Sequence, residues 1–176
     1  MKQFAIIVVA IFSIYGIEMQ AQSMKTFTYH GQGVFSISYP SNWEVRENPQ
    51  EKVRVLILAP IQSGSNFRTN LNVISSINSS ESLERLFQIQ QNVYNSNKQI
   101  FNDYKLERKE DVVINNIHGI KITASYGLQG VKVRGIQYIL KKADNTQYTI
   151  TFTIGLSSYE RDIKIVENII QSFKSL

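Results

Sequence analysis

The chain has 176 residues, 43% hydrophobic and 19% charged, a balance that fits one folded domain and excludes a disordered segment. It has no cysteine, which excludes disulfides, thiolate metal centres, a cysteine nucleophile and an acylated-cysteine anchor. The net charge of +5 is modest, and Lys and Arg are interleaved with acids, as in residues 106–111 ("LERKED"), which excludes a basic nucleic-acid tract.

Residues 1–22 read as a separate object. Lys2 precedes an apolar run over residues 4–17, interrupted only by Ser13 and Gly16, and short residues lead to Ala21 and Gln22. That is the order of a secretory signal peptide, and the run is shorter than the roughly 20 residues of a membrane-spanning helix. Met19 is large for its place before Ala21, so the cut falls at residue 22 or one or two residues away. The expectation is a cleaved signal peptide over 1–22, a single domain over 23–176, and export to a bacterial periplasm or beyond. An uncleaved N-terminal anchor is the alternative. An oxidising compartment suits a chain with no thiol.

The elements of the mature chain follow in order. Phe35, Ile37 and Tyr39 alternate with Ser36 and Ser38, the period of a half-buried strand that Pro40 stops. Ser41 and Asn42 make a turn, after which the only Trp, Trp43, is expected to cap the end of a core. Residues 53–60 ("VRVLILAP") are apolar on both faces and predict a central strand covered on both sides. Residues 70–77 predict another strand, with Leu71, Val73 and Ile77 inward. The period then changes: Leu83, Leu86, Phe87, Val93 and Tyr94 form a helical stripe, with Ser79 or Ser80 as its cap and a stop at residues 95–97.

Residues 111–126 predict a short strand, an Asn115-Asn116 turn and a longer strand with Ile120, Ile122, Ala124 and Tyr126 inward. Residues 127–130 ("GLQG") read as a hairpin loop. In the next strand Val131 and Val133 keep one phase while Ile136, Tyr138 and Leu140 keep the other, which predicts a β-bulge or sharp bend at Gly135. A turn at 143–146 leads to a strand with Tyr148, Ile150, Phe152 and Ile154 on one face. The last segment is a helix with the stripe Tyr159, Ile163, Val166, Ile170, Phe173, started by a capping box of Ser157 and Glu160. Short loops between the late strands predict antiparallel pairing.

"FSISYPSNWEV", "NLNV", an Asn/Gly turn before a long hairpin, "YTITFTI" and the terminal "IIQSFK" resemble the PsbP-like family. The resemblance spans about residues 27–174. It implies an α+β fold, an α/β/α sandwich around a central antiparallel sheet with a C-terminal amphipathic helix. It also implies a non-enzymatic helper role in contact with protein or lipid, frequent in exported bacterial proteins, with related folds in a nuclear-transport accessory protein and in surface lipoproteins. The chain departs from the lipoprotein members in having no cysteine, and the photosynthetic role is not carried over.

Catalytic signatures are sparse. Serines fall in caps, turns and strand faces, and no G-x-S-x-G elbow occurs. His118 sits beside a turn, and with His30 it lacks the spacing of a metal site. Gly31-Gln32-Gly33 precedes a strand where a phosphate loop needs a helix. No catalytic, cofactor or metal residue is therefore expected. The strand phases turn Lys121, Lys132, Arg134 and Lys141 away from the core, making a basic face that is either a solvated strand surface or a site for an anionic partner. The leading expectation is an exported, non-enzymatic module without cofactor that binds a protein, lipid or envelope component, with no nucleic-acid partner and no membrane span in the mature chain. A periplasmic hydrolase using Ser or carboxylates in a cleft, and an assembly factor without ligand, remain as alternatives.

Overall fold

Strands dominate because β-branched and aromatic residues alternate with Ser, Thr, Asn and Lys through most of the chain. The computed structural model describes residues 23–63 and 67–176; the signal peptide expected over 1–22 lies outside the described residues. In chain order the elements are β1 (Met24–Tyr29), β2 (Phe35–Pro40), β3 (Glu44–Gln50), β4 (Val53–Leu58), β5 (Asn70–Ser76) and α1 (Leu83–Ser96). They continue with β6 (Asn102–Ile114), β7 (Ile117–Leu128), β8 (Val131–Lys141), β9 (Gln147–Gly155), α2 (Tyr159–Ser172) and β10 (Lys174–Ser175).

A seven-stranded antiparallel sheet runs β3-β4-β5-β9-β8-β7-β6, and β1, β2 and β10 form a second, three-stranded sheet. Helix α2 and the small sheet cover one face of the large sheet, and α1 packs on β7 and β8 of the other face. This is the α/β/α sandwich with a C-terminal amphipathic helix, with a small sheet added beside that helix.

The main core lies between the large sheet, the small sheet and α2. Phe35 of β2, Tyr148 of β9 and Phe173 at the end of α2 meet there, with ring centroids 5.1 to 6.1 Å apart. The Tyr148 hydroxyl donates to the Val34 carbonyl at 3.1 Å, so its polar end is satisfied. The helical stripe lands as expected: Val166, Ile170 and Phe173 are buried and Tyr159 and Ile163 pack at its edge, with Ile169 buried beside them. Asn115, in the β6–β7 turn, donates to the Gln171 and Phe173 carbonyls at 3.0 and 2.6 Å, which satisfies acceptors left open at the helix end. Trp43 is buried in the same core, and its N–H closes the turn to Pro40 at 2.9 Å.

Several local expectations are corrected. No bulge occurs at Gly135: β8 pairs in unbroken register with β7 and β9. The phase switch has another cause. Val133 packs with Tyr94 and Tyr126 on the α1 side, while Ile136, Tyr138 and Leu140 enter the main core on the α2 side. One regular strand is thus buried on opposite faces at its two ends. Register breaks fall instead in β3, β4 and β6.

Strand β4 is next to the edge rather than central, and Leu56 and Leu58 are only half-buried because α1 does not extend over them. Ile77 lies past the end of β5 and is exposed, as is Val93 of α1. The cap of α1 is Ser82, whose hydroxyl accepts from the Arg85 N–H; Ser79 instead bonds Asn145 and Gln147. The Ser157–Glu160 capping box does not form, since residues 156–158 make a 3-10 turn and the Ser158 hydroxyl donates back to the Gly155 carbonyl. Strand β6 is long, beginning at Asn102, where only a short strand was expected.

Gly135 serves packing rather than a bulge. A Cβ there would lie 2.9 Å from two atoms of the Tyr126 ring system, which is locked against Tyr94 and Phe101. Replacing a strand glycine by alanine ordinarily stabilises by about 0.5–1 kcal/mol. Here overpacking reverses the sign, and Gly135→Ala is expected to cost about 1–3 kcal/mol in urea denaturation. Combining it with Tyr126→Leu should recover part of that loss; a G135A variant more stable than the parent would refute this packing role.

Candidate functional site

The β7–β8 hairpin closes through Gln129 and Gly130, both at positive φ (50° and 80°), a turn that follows the natural twist of paired strands. Beside it β6 carries an extra residue between Asn102 and Lys105, with Asp103 at φ 52°. The bulge re-aims the start of β6: Tyr104 joins the aromatic cluster under α1, while Lys105 pairs opposite Ser125. Between this bulge and the hairpin opens a cleft of about 410 Å³. Lys105, Ser125, Tyr126, Val131, Lys132 and Leu156 contribute to its walls.

The four basic residues anticipated from strand phase are not equivalent. Lys132 lines the cleft. Arg134, two residues along the same strand, stacks 4.3 Å from the Tyr159 ring centroid and forms an ion pair with Glu107 at 3.1 Å. Lys121 shares their sheet face but pairs opposite Tyr138, roughly 13 Å along the strand from Arg134. Its ammonium lies 5.8 Å from the Tyr138 ring centroid, and Glu110 faces it across the β6–β7 pair. Burial, with Glu167 and Glu110 nearby, pushes the Tyr138 phenol up to about 12. Lys141 is on the opposite face, where it donates to the Glu81 carbonyl at 2.6 Å. The fold therefore gathers Lys132 and Arg134 and separates Lys121 and Lys141 from them.

Lys105 is a cleft residue that strand phase does not reveal. It lies in a charge-rich stretch with no apolar alternation, and only the register to Ser125 reveals its neighbours. Arg134 is held by Glu107 and Tyr159, whereas Lys105 and Lys132 have no salt-bridge or hydrogen-bond partner among the described residues. Asp103 is the one carboxylate in the cleft lining, so two ammoniums against one carboxylate leave it net positive.

A second cleft, of about 300 Å³, brings Ser157, Ser158 and Asp162 together. Asp162 is 4% exposed. It accepts from the Thr69 hydroxyl at 2.5 Å and from Arg161 at 2.6 and 3.0 Å, and Arg161 also reaches Gln62 at 3.2 Å. Burial alone would raise this carboxyl; the hydrogen bonds from Arg161 and Thr69 outweigh it and hold the group below its ordinary 3.8. Such a carboxylate is a poor proton donor and a weak base, and the Ser158 hydroxyl is shared between the Gly155 carbonyl, at 3.1 Å, and Asp162. The cluster ties the segment entering β5 to the first turn of α2. His30, in the loop after β1, and His118, in β7, are exposed, and no group of three His, Asp or Glu side chains suited to a metal occurs among the described residues.

No family model matches the chain, and no curated protein matches it by sequence. Solved structures do. PsbP of the cyanobacterium Synechocystis superposes with a TM-score of 0.66 at 14% identity, covering 94% of this chain and 99% of that one. LpqN of Mycobacterium tuberculosis, described as involved in cell envelope biogenesis, gives 0.61 at 9% identity over 86% and 90% of the two chains. The Ran-binding protein Mog1p of Saccharomyces cerevisiae gives 0.60 at 9% identity over 88% and 96%. At these identities the likeness is one of fold, and the fold is PsbP-like.

Because the Asp162 carboxyl is held low in the folded state, its contribution is complete above about pH 3.8 and is lost as pH falls through the lowered native value. Asp162→Asn is expected to lower stability by about 1–3 kcal/mol at pH 7. The gap to the parent should narrow in urea titrations repeated near pH 3. A gap of the same size at both pH values would show that the carboxylate charge plays no part.

Proposed function

We propose that this chain is an exported, non-catalytic PsbP-like module that engages an anionic component of the cell envelope through the cleft between β6 and the β7–β8 hairpin. The observation that carries the reading is the pair of unpartnered lysines, Lys105 and Lys132, in one cleft. Most other basic side chains in the domain are engaged: Arg46 and Arg68 with Glu44, Lys109 with Glu84, Lys142 with Asp144, Arg161 with Asp162. An ammonium left open beside an apolar wall keeps its field for something outside the chain.

Export is supported by the basic start, short apolar run and small-residue end of residues 1–22. No helix among the described residues is long and apolar enough to cross a membrane. The envelope as the place of action is supported by the LpqN likeness. A non-catalytic role is supported by the saturated Asp162 and by burial of the tyrosines with raised phenols, Tyr94 and Tyr126, inside the packing under α1.

Cosedimentation of the mature protein with an envelope fraction of its own cell tests the reading. Lys105→Glu/Lys132→Glu should reduce the bound fraction several-fold, and raising the salt should do the same to the parent, because exposed charge pairs are screened within about 10 Å at 0.1 M. Arg134 is left intact, since its loss would disturb the Glu107 and Tyr159 contacts. Binding indifferent to both lysines and salt would sink the proposal.

A further inference from the structure

The cleft combines two features that seldom serve one purpose unless the ligand has two parts. Its lining is predominantly apolar, and Leu156, on the 3-10 turn before α2, is 41% exposed there. Lys105 and Lys132 flank that apolar wall from two different strands, β6 and β8, with β7 between them. A free inorganic anion would make no use of the apolar surface, and a neutral apolar ligand would leave the ammoniums idle.

We infer that the cleft binds a single-chain anionic amphiphile. Its carboxylate or phosphate head lies between Lys105 and Lys132, and its hydrocarbon chain runs over Leu156 at the start of the 3-10 turn. The inference rests on the envelope-binding reading and names the ligand chemistry. Charge complementarity carries it. Lys105 and Lys132 are open, Arg134 behind them is fixed by Glu107 and Tyr159, and Asp103 is the one opposing carboxylate in the lining. The volume of about 410 Å³ falls within the range of small-molecule sites, about 300–1,000 Å³. The Asp162 cleft offers the contrast: Arg161 is already spent on Asp162 and Gln62, so it holds no open cation of this kind.

The sign of the Asp103 effect separates this inference from a general basic-surface effect. Removing that carboxylate strengthens an anion site and leaves a purely apolar site unchanged. Asn also accepts the left-handed backbone that Asp103 adopts, so Asp103→Asn keeps the bulge.

Calorimetric titration of the mature protein tests the inference with laurate and lauryl phosphate below their micelle concentrations, with inorganic phosphate, and with neutral monolauroylglycerol. Laurate and lauryl phosphate should bind. Lys105→Gln/Lys132→Gln should weaken them roughly tenfold to a hundredfold, the scale of lost hydrogen bonds to a charged group. Asp103→Asn should tighten them, and the phosphate ion and the neutral lipid should bind far more weakly than either. Unfolding midpoints equal to that of the parent certify the variants as folded. Absence of laurate binding, or laurate binding unchanged in K105Q/K132Q, overturns the inference. Inorganic phosphate binding as tightly as lauryl phosphate overturns it in favour of a free-anion site. Lysine-dependent envelope cosedimentation without laurate binding removes the amphiphile alone; cosedimentation indifferent to the lysines removes the broader reading too.

Discussion

One side of the large sheet depends on bringing Phe35, Tyr148 and Phe173 into a single contact. Each comes from a different structural unit: the small sheet, the large sheet and the end of α2. All three are almost fully buried, so none of the three units can be displaced without uncovering the other two. Truncating a fully buried Phe typically costs about 3–5 kcal/mol, a large share of the stability of a domain of this size. The polar ends around the contact are also spoken for, since Tyr148 bonds Val34 and Asn115 bonds the Phe173 carbonyl. The C-terminal residues then pair with β2, which extends the junction into a third strand of the small sheet.

The parts of this architecture that were legible in the sequence are those set by one buried face. The alternation of β2 and the stripe of α2 each report a single core, and in β9 the large apolar residues mark the main core although Thr149 and Thr153 are buried on the other face. What was not legible depends on neighbours. The phase switch at Gly135 has two physical meanings, an inserted residue or a change of buried face, and sequence period cannot separate them. Ser79 looked like a cap because it stands before a helical stripe, but the β8–β9 turn competes for its hydrogen bonds and Ser82 takes the role. Strand β6 carried no apolar alternation because it lies at the border of the sheet with most of its side chains in solvent, so its ladder to β7 is held by backbone bonds and register.

The site illustrates the same limit. Strand phase groups Lys132 and Arg134 with Lys141 only if a bulge intervenes at Gly135; in the unbroken strand Lys141 falls on the opposite face. It did not distinguish an Arg already engaged by Glu107 and Tyr159 from a Lys with no partner, and it missed Lys105 altogether. Engagement is a property of cross-strand register, here of the extra residue at the start of β6. That single insertion sends Tyr104 to one face and Lys105 to the other, linking the aromatic packing under α1 to the charge of the cleft.

The two outermost strands of the large sheet bear on how any partner can approach. Strand β3 has a register break, Pro49, and Asn48 at positive φ; β6 has two register breaks and a run of alternating charges. Neither presents a long flat row of free amide groups, so strand-by-strand addition of a foreign chain is disfavoured at both margins. At the margins of the large sheet recognition is thus steered toward side-chain surfaces, where affinity can be tuned without templating aggregation.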